Sequence, residues 1–344
     1  MEGSETLKGI IMAGGRGTRL MPLTKNKPKP MVSVLGRPVI DYVKDSMVHA
    51  GISEIIVTTG YQGEQLVSHV DSWDINGRVN QEEQPMGTAG SVKLLADSLD
   101  STFVVGSGDS VASFDIHDLI KSHKKSGAKV TMALWSVDNP SEYGIVGLSS
   151  QHGEDLDSKL EEGFISKFLE KPQPEEAFSN LINAGLYIIE PEVMELVPVG
   201  EKYDFSKQLF PDILERGWKM YAKKVEGIWF DVGHPFELHN AQISLIANSE
   251  SLPFPTPKGE ILPDGSFISS GASVSGHIER SIILEGASVS GAAVDTVVMS
   301  NSRVDGVAES SIIGESSVIK SKIFRCVVGD NVVVSTDKQE ERIS

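Results

Sequence analysis

A single cysteine, Cys326, stands among 344 residues, so neither an intrachain disulfide nor a cysteine cluster for zinc can be built. Positive charge is also scarce: 31 Lys and Arg face 48 Asp and Glu, a formal net charge of −17. So acidic a chain makes a poor partner for nucleic acid or for an anionic membrane surface. No apolar run approaches the roughly 18 residues of a membrane span. The opening Met1-Glu2-Gly3-Ser4-Glu5 lacks the basic and apolar regions of a secretion signal. These absences give a cytoplasmic protein as the expectation. What remains is ordinary, with 40% hydrophobic and 23% charged residues, and the length suggests two domains with ample chain for a core.

The scarce positive charge is concentrated in one place. An apolar run, Ile10-Ile11-Met12, stops at Ala13-Gly14-Gly15-Arg16-Gly17-Thr18-Arg19-Leu20, and Pro22, Thr24 and Lys25-Asn26-Lys27-Pro28-Lys29-Pro30 follow. A buried strand that ends at glycines gives a loop whose backbone can approach a ligand closely. Successive backbone N–H groups in such a loop form an anion site, and Arg16, Arg19, Lys25, Lys27 and Lys29 add five cations that suit phosphate. A solvated turn with surface lysines is the plainer alternative, but so dense a basic segment in so acidic a chain calls for an anionic ligand. The glycine spacing excludes two phosphate loops. Leu20 stands where a dinucleotide fingerprint needs its third glycine, and Thr18-Arg19 stands where a Walker loop needs Lys-Ser/Thr.

Strand-like runs alternate with helical stretches through the first half. Helices are expected over 38–50 (with Pro38 near the start and Gly51 just past the end), 64–70, 88–96 and 116–125. Strands are expected at 55–57, 78–81, 102–105 and 129–134. That alternation implies an α/β fold with a mainly parallel sheet covered on both faces, whose ligands sit beyond the strands' carboxyl ends. Pro253, Pro255, Pro257 and Pro263 mark a linker. Beyond it aliphatic residues repeat every 15 positions: Ile268, Ile283, Val298, Ile313 and Val328, then Val274, Val289, Val304, Ile319 and Val334, with Ile278, Ala293, Ala308 and Ile323 on a third face. Gly271, Gly286, Asn301, Ser316 and Asn331 supply turns at the same interval. Units so short must stack, giving a small parallel β-helix. The domains expected are 1–248, a linker at 249–265, the β-helix at 266–336 and a polar tail at 337–344.

Asp109 and Asp231 each come at an apolar strand's end, with glycine just before Asp109 and two residues after Asp231. A lone aspartate there is more often a helix cap, but two converging carboxylates suit Mg²⁺, which takes one or two of them along with phosphate oxygens and water. Glu82-Glu83-Gln84-Pro85-Met86-Gly87-Thr88-Ala89-Gly90 is a loop entering a helix, with Thr88 as the N-cap. Glu170-Lys171-Pro172 and Asn183-Ala184-Gly185 could, on their own, be an exposed strand end and a turn.

The Gly-Gly-x-Gly-Thr-Arg-Leu run, its proline and threonine, and Lys27-Pro28-Lys29-Pro30 together resemble the signature of the nucleotide-sugar pyrophosphorylases, the sugar-1-phosphate nucleotidyltransferases. The resemblance implies a Rossmann-like catalytic sheet. It also implies that a phosphate oxygen of a hexose 1-phosphate attacks the α-phosphorus of a nucleoside triphosphate, releasing pyrophosphate. Residue by residue it assigns Arg19 and Lys29 to catalysis, Asp109 and Asp231 to Mg²⁺, and Ala13, Gly14, Gly15, Gly17, Thr18, Gln84, Gly87 and Thr88 to the nucleotide. Gln84 would hydrogen-bond the base edge and Gly87 would let the base lie against backbone. Glu170, Lys171, Asn183 and Gly185 fall to the sugar phosphate, and no role is assigned to 204–211. The family often carries Glu at position 84, which leaves the base open.

The segments 183–191, 204–211 and 229–233 look closest to mannose-1-phosphate guanylyltransferases, implying GTP and mannose 1-phosphate. A glucose-1-phosphate uridylyl- or thymidylyltransferase is the alternative. The repeats resemble the left-handed hexapeptide helix carried by many of these enzymes, with a shorter coil, and imply a dimer or tetramer formed through it. Acyl transfer on the β-helix usually needs a histidine base, and only His277 is there. A non-catalytic NDP-sugar-binding subunit is argued against by the intact Arg19, Lys29, Asp109 and Asp231.

Overall fold

The computed structural model describes residues 7–60 and 63–344; the reading of residues 1–5 lies outside them. The chain gathers into two compact units. Among the described residues, one holds 7–14, 43–60, 63–108 and 113–229, and the other holds 15–42, 109–112 and 230–344.

The first unit is built on a nine-stranded sheet. Its strands in chain order are β1 (Lys8–Met12), β2 (Glu54–Thr59), β3 (Asn76–Gln81), β4 (Phe103–Ser107), β5 (Val130–Ser136), β6 (Gly144–Ser149), β7 (Glu162–Glu170), β8 (Leu181–Ile189) and β9 (Met220–Lys224). They lie in the order β3-β2-β1-β4-β8-β5-β9-β7-β6. The first four run parallel, and β8 pairs antiparallel with both β4 and β5, so the sheet is Rossmann-like at one end and mixed at the other. Ile10, Ile56, Phe103, Val105, Met132 and Ile189 are buried in its core with Phe205 and Phe210. Each such side chain contributes about 1.5–3 kcal/mol.

Helix α1 runs Ile40–His49, shorter at its start than expected. Pro38 instead pairs with Ser33 in a two-stranded hairpin turned by Leu35 and Gly36, both at positive φ. The other helices expected in this half form at α2 (Gly63–Val70), α3 (Gly87–Lys93) and α4 (Ile116–Ser126). A side chain at Gly106 would lie 2.7 Å from Val43 Cγ1. The glycine is thus what lets the start of the helix lie against β4.

The second unit carries the β-helix. Its coils form three sheets, one per face, and the three aliphatic columns stack in register as the spacing predicts. This arrangement fits a left-handed parallel β-helix. Gly286, Asn301, Ser316 and Asn331 all turn at positive φ. A second turn column was not foreseen: Arg280, Asp295, Ser310, Arg325 and Glu340 also adopt positive φ.

Inside the coils Ser266, Ser281, Thr296 and Ser311 form a hydroxyl ladder. Each accepts from the backbone N–H of the residue 15 positions on, and Cys326 closes the column. The stretch 337–344, read from sequence as a tail, carries Lys338–Gln339 and Arg342–Ile343, which pair with the coil before them. Its residues are polar on the surface, but its backbone continues the ladder. Within 249–265, Gly259–Ile261 pairs antiparallel with Phe267–Ser269.

Candidate active site

The glycine loop behaves as its composition suggests. Gly17 stands at φ 64° and caps a short 3₁₀ turn, Thr18–Leu20. A side chain there would lie 2.9 Å from both Lys29 Cβ and Thr24 Cγ2, and Thr24 Oγ1 donates to Gly17 O at 2.8 Å. Gly14 and Gly15 are exposed, with nothing within 4 Å of where a side chain would begin. No internal packing therefore explains those two glycines.

Lys29 follows in a second 3₁₀ turn, Lys29–Met31, and is 6% exposed. Its Nζ donates to Asp109 Oδ2 at 2.6 Å and to Asp231 Oδ1 at 3.0 Å. Burial pulls the ammonium's pKa down, but the charges of Asp109 and Asp231 outweigh it and hold it above the ordinary lysine value. Asp109 immediately precedes the short strand Ser110–Ala112 and Asp231 ends the strand Trp229–Asp231, and the two strands pair as a ribbon. Val232 N–H also donates to Asp109 O at 3.2 Å. Arg19 Nη2 lies 3.9 Å from Asp231 Oδ2, and a side chain at Gly233 would come within 2.8 Å of that guanidinium. Arg19, Lys29, Asp109 and Asp231 thus meet in one cluster. Lys27 does not join it, since its ammonium pairs with Asp330 at 2.8 Å and Glu315 at 3.1 Å.

The first unit gathers the other candidates. Gln84 is exposed on the loop before α3. Gly87 adopts φ 75°, and a side chain there would lie 2.6 Å from Tyr203 O, so the fold itself requires that glycine. Thr88 is not the cap: Met86 holds that position without a side-chain bond. The Thr88 hydroxyl instead donates to Asp204 Oδ2 at 3.1 Å and accepts from Phe205 N–H at 2.9 Å. Asn183 Nδ2 donates to Tyr187 Oη at 2.8 Å, and its Oδ1 accepts from Gly185 N–H at 2.9 Å. Burial and then the Asp204 charge raise the Glu170 carboxyl, with the Ser206 hydroxyl among the groups opposing. Lys171 is exposed at φ 50°.

A family model described as "Nucleotidyl transferase" matches residues 8–248. The chain belongs to that nucleotidyl transferase family. A mannose-1-phosphate guanyltransferase of Saccharomyces cerevisiae is 35% identical over 236 residues, 67% of this chain and 62% of that protein. The chain thus spans less than two thirds of that relative. The mannose-1-phosphate guanyltransferase of Eremothecium gossypii is 32% identical over 278 residues, 78% of this chain and 73% of that protein. Among solved structures, a Bacillus anthracis protein assigned as a glucose-1-phosphate thymidylyltransferase, crystallised with sucrose, is 25% identical. Its TM-score is 0.61, covering 72% of this chain and 97% of its own.

Three residues of this nucleotidyl transferase escaped the sequence reading. Asp204 caps Ser206 and Lys207 N–H and receives Thr88. Ser206 Oγ lies 3.3 Å from Asn183 Nδ2. The hydroxyl of buried Tyr187 is held by Asn183. An aspartate at the start of a helical turn signals a cap, which would have found Asp204; the other two contacts depend on the irregularity in β8 between Asn183 and Tyr187 and on where the turn at Ser206 packs. Among the described residues no helix is long and apolar enough to cross a membrane.

Proposed function

We propose that this nucleotidyl transferase moves a nucleoside monophosphate from a nucleoside triphosphate to a hexose 1-phosphate, releasing pyrophosphate, with GTP and mannose 1-phosphate as the preferred pair. One observation carries the reading: Asp109 and Asp231, far apart in sequence, both reach within 3.0 Å of Lys29 Nζ, with Arg19 alongside. The attacking phosphate oxygen is already an anion, so the reaction needs no protein base. Its barrier comes from bringing two anions together and from charge on the departing pyrophosphate, which positioned cations relieve.

Arg19 carries an exposed guanidinium and is assigned to the triphosphate and its leaving group. Lys29, fixed by two carboxylates, is the second phosphate contact. The open backbone at Gly14 and Gly15 is assigned to the phosphates, with Ala13, Gly17 and Thr18 shaping the loop. Gln84 is assigned to the base edge. Glu170 and Asn183 are assigned to sugar hydroxyls, with Gly185 holding the Asn183 amide in place and Lys171 facing the sugar's phosphate as a compact point charge.

Among the described residues no group of three or more His, Cys, Asp and Glu is placed to hold a metal. Two hard carboxylates around one cationic point nevertheless fit an ion completed by substrate phosphates and water. Asp109 and Asp231 would hold Mg²⁺, which when bound neutralises phosphate charge. Pyrophosphate release measured for four NTPs against mannose and glucose 1-phosphates tests the reading. GTP with mannose 1-phosphate is expected to give the highest kcat/KM. The Bacillus anthracis similarity favours a second reading, and dTTP with glucose 1-phosphate leading the panel would establish it. No release with any pair would refute the reaction.

A further inference from the structure

Three contacts tie the β-helix to the phosphate loop. Lys27, whose side chain is 16% exposed, is held by Asp330 and Glu315, and the Asp330 carboxylate also accepts from Glu315 N–H at 2.9 Å, so that carboxylate is itself fixed. Arg342 Nη1 donates to Arg19 O at 2.7 Å and to Met21 O. Gly329 lies so close that a side chain there would meet Pro22 Cβ at 3.3 Å. Burial lowers the pKa of Lys27, but its two acids outweigh that and raise it, which keeps the ion pair charged at neutral pH.

These anchors fall beside the two cations assigned to catalysis. Arg342 holds the carbonyl of the residue whose guanidinium lies near Asp231. Lys27 is separated from Lys29 by Pro28 alone, whose ring fixes φ, here −68°, so little freedom remains between the anchored ammonium and the catalytic one. From these observations we infer that the last two coils of the β-helix clamp the phosphate loop, with Lys27 and Arg342 as positioning residues that set where Arg19 and Lys29 stand. Neither residue touches substrate in this account. The β-helix then serves the reaction directly, as a template for the loop. The inference rests on the proposed reaction for its kinetic consequence, while the clamp itself can be read without turnover.

A displacement of catalytic cations by about 1 Å can cost on the order of 10²-fold, so a partial loss of the clamp should cost roughly tenfold in kcat/KM. The test uses the full chain in five forms: wild type, Lys27→Met, Lys27→Arg, Arg342→Ala and Arg342→Lys. Steady-state pyrophosphate release is measured at varied NTP, and amide hydrogen exchange is followed over residues 15–31. Lys27→Met and Arg342→Ala should each speed exchange in that loop and lower kcat/KM about tenfold, with lowered kcat as well as raised KM. Lys27→Arg and Arg342→Lys should recover most of both. Loop exchange equal to wild type in Lys27→Met and Arg342→Ala would overturn the clamp, whatever the activity. Faster exchange with kcat/KM within about twofold of wild type would overturn the positioning role and leave a structural brace. If wild type itself turns over no substrate, the reaction fails while the exchange result still decides the clamp.

Discussion

The cluster around Lys29 and the one around Asn183 hold their polar groups by different means. The first is held by full charges, one ammonium on two carboxylates, and the second mainly by hydrogen bonds, from Thr88 to Asp204 and from Asn183 to Tyr187 and Ser206. Charges in a partly buried place act strongly on phosphate. A web of hydroxyls and amides around one carboxylate discriminates by shape, because its donors are already directed at set partners. The contrast teaches that rate and sugar selectivity should separate under mutation.

The largest effect should follow Lys29→Met. It leaves two adjacent carboxylates without their shared cation. Turnover should fall roughly 10³-fold, and stability by about 2 kcal/mol, less than for a fully buried pair because both acids stay partly exposed. Pyrophosphate release and urea unfolding would show both. The pH dependence follows from the sign of the shift. A raised lysine contributes stability that is fully present below pH 10.5 and lost only as pH climbs through the higher folded value.

Asn183→Ala should act on the other cluster. It strands the buried Tyr187 hydroxyl, costing about 1–3 kcal/mol, and should raise KM for the sugar phosphate while KM for NTP stays near wild type. Equal rises in both KM values would break the contrast. A smaller effect is expected from Glu170→Gln. Burial and Asp204 raise the Glu170 carboxyl, so its folded-state benefit is present below the ordinary carboxylate range and is lost as pH rises through the raised value. The variant should therefore melt slightly above wild type at pH 8 and level with it at pH 3.5. The smallest is Cys326→Ser in the β-helix, where the column is otherwise hydroxyl; thermal unfolding should show a change under about 1 kcal/mol.

The aliphatic columns and the turns at Gly286, Asn301 and Asn331 were legible, because burial and positive φ both restrict residue type. The second turn column was not. Arg280, Ser310 and Glu340 have no preference for that backbone, and stacking on the neighbouring coil imposes it. The meeting of Asp109 and Asp231 was implied by the family resemblance, whereas Lys29 as the cation between them was not, because it arrives on a 3₁₀ turn outside any strand. The fate of Lys27 was hidden. Nothing in Lys27-Pro28-Lys29 says which lysine turns inward to the carboxylates, and the deciding partners lie 288 and 303 positions away, at Glu315 and Asp330. Thr88 was misread because a threonine at a loop-to-helix junction looks like a cap until Asp204 is seen beside it.

The most direct measurement is pyrophosphate release by Asp109→Asn beside wild type, at saturating GTP, mannose 1-phosphate and Mg²⁺, with circular dichroism confirming the fold. The account predicts a loss of about 10²–10³ in kcat with the fold intact. A folded variant turning over at the wild-type rate would contradict it.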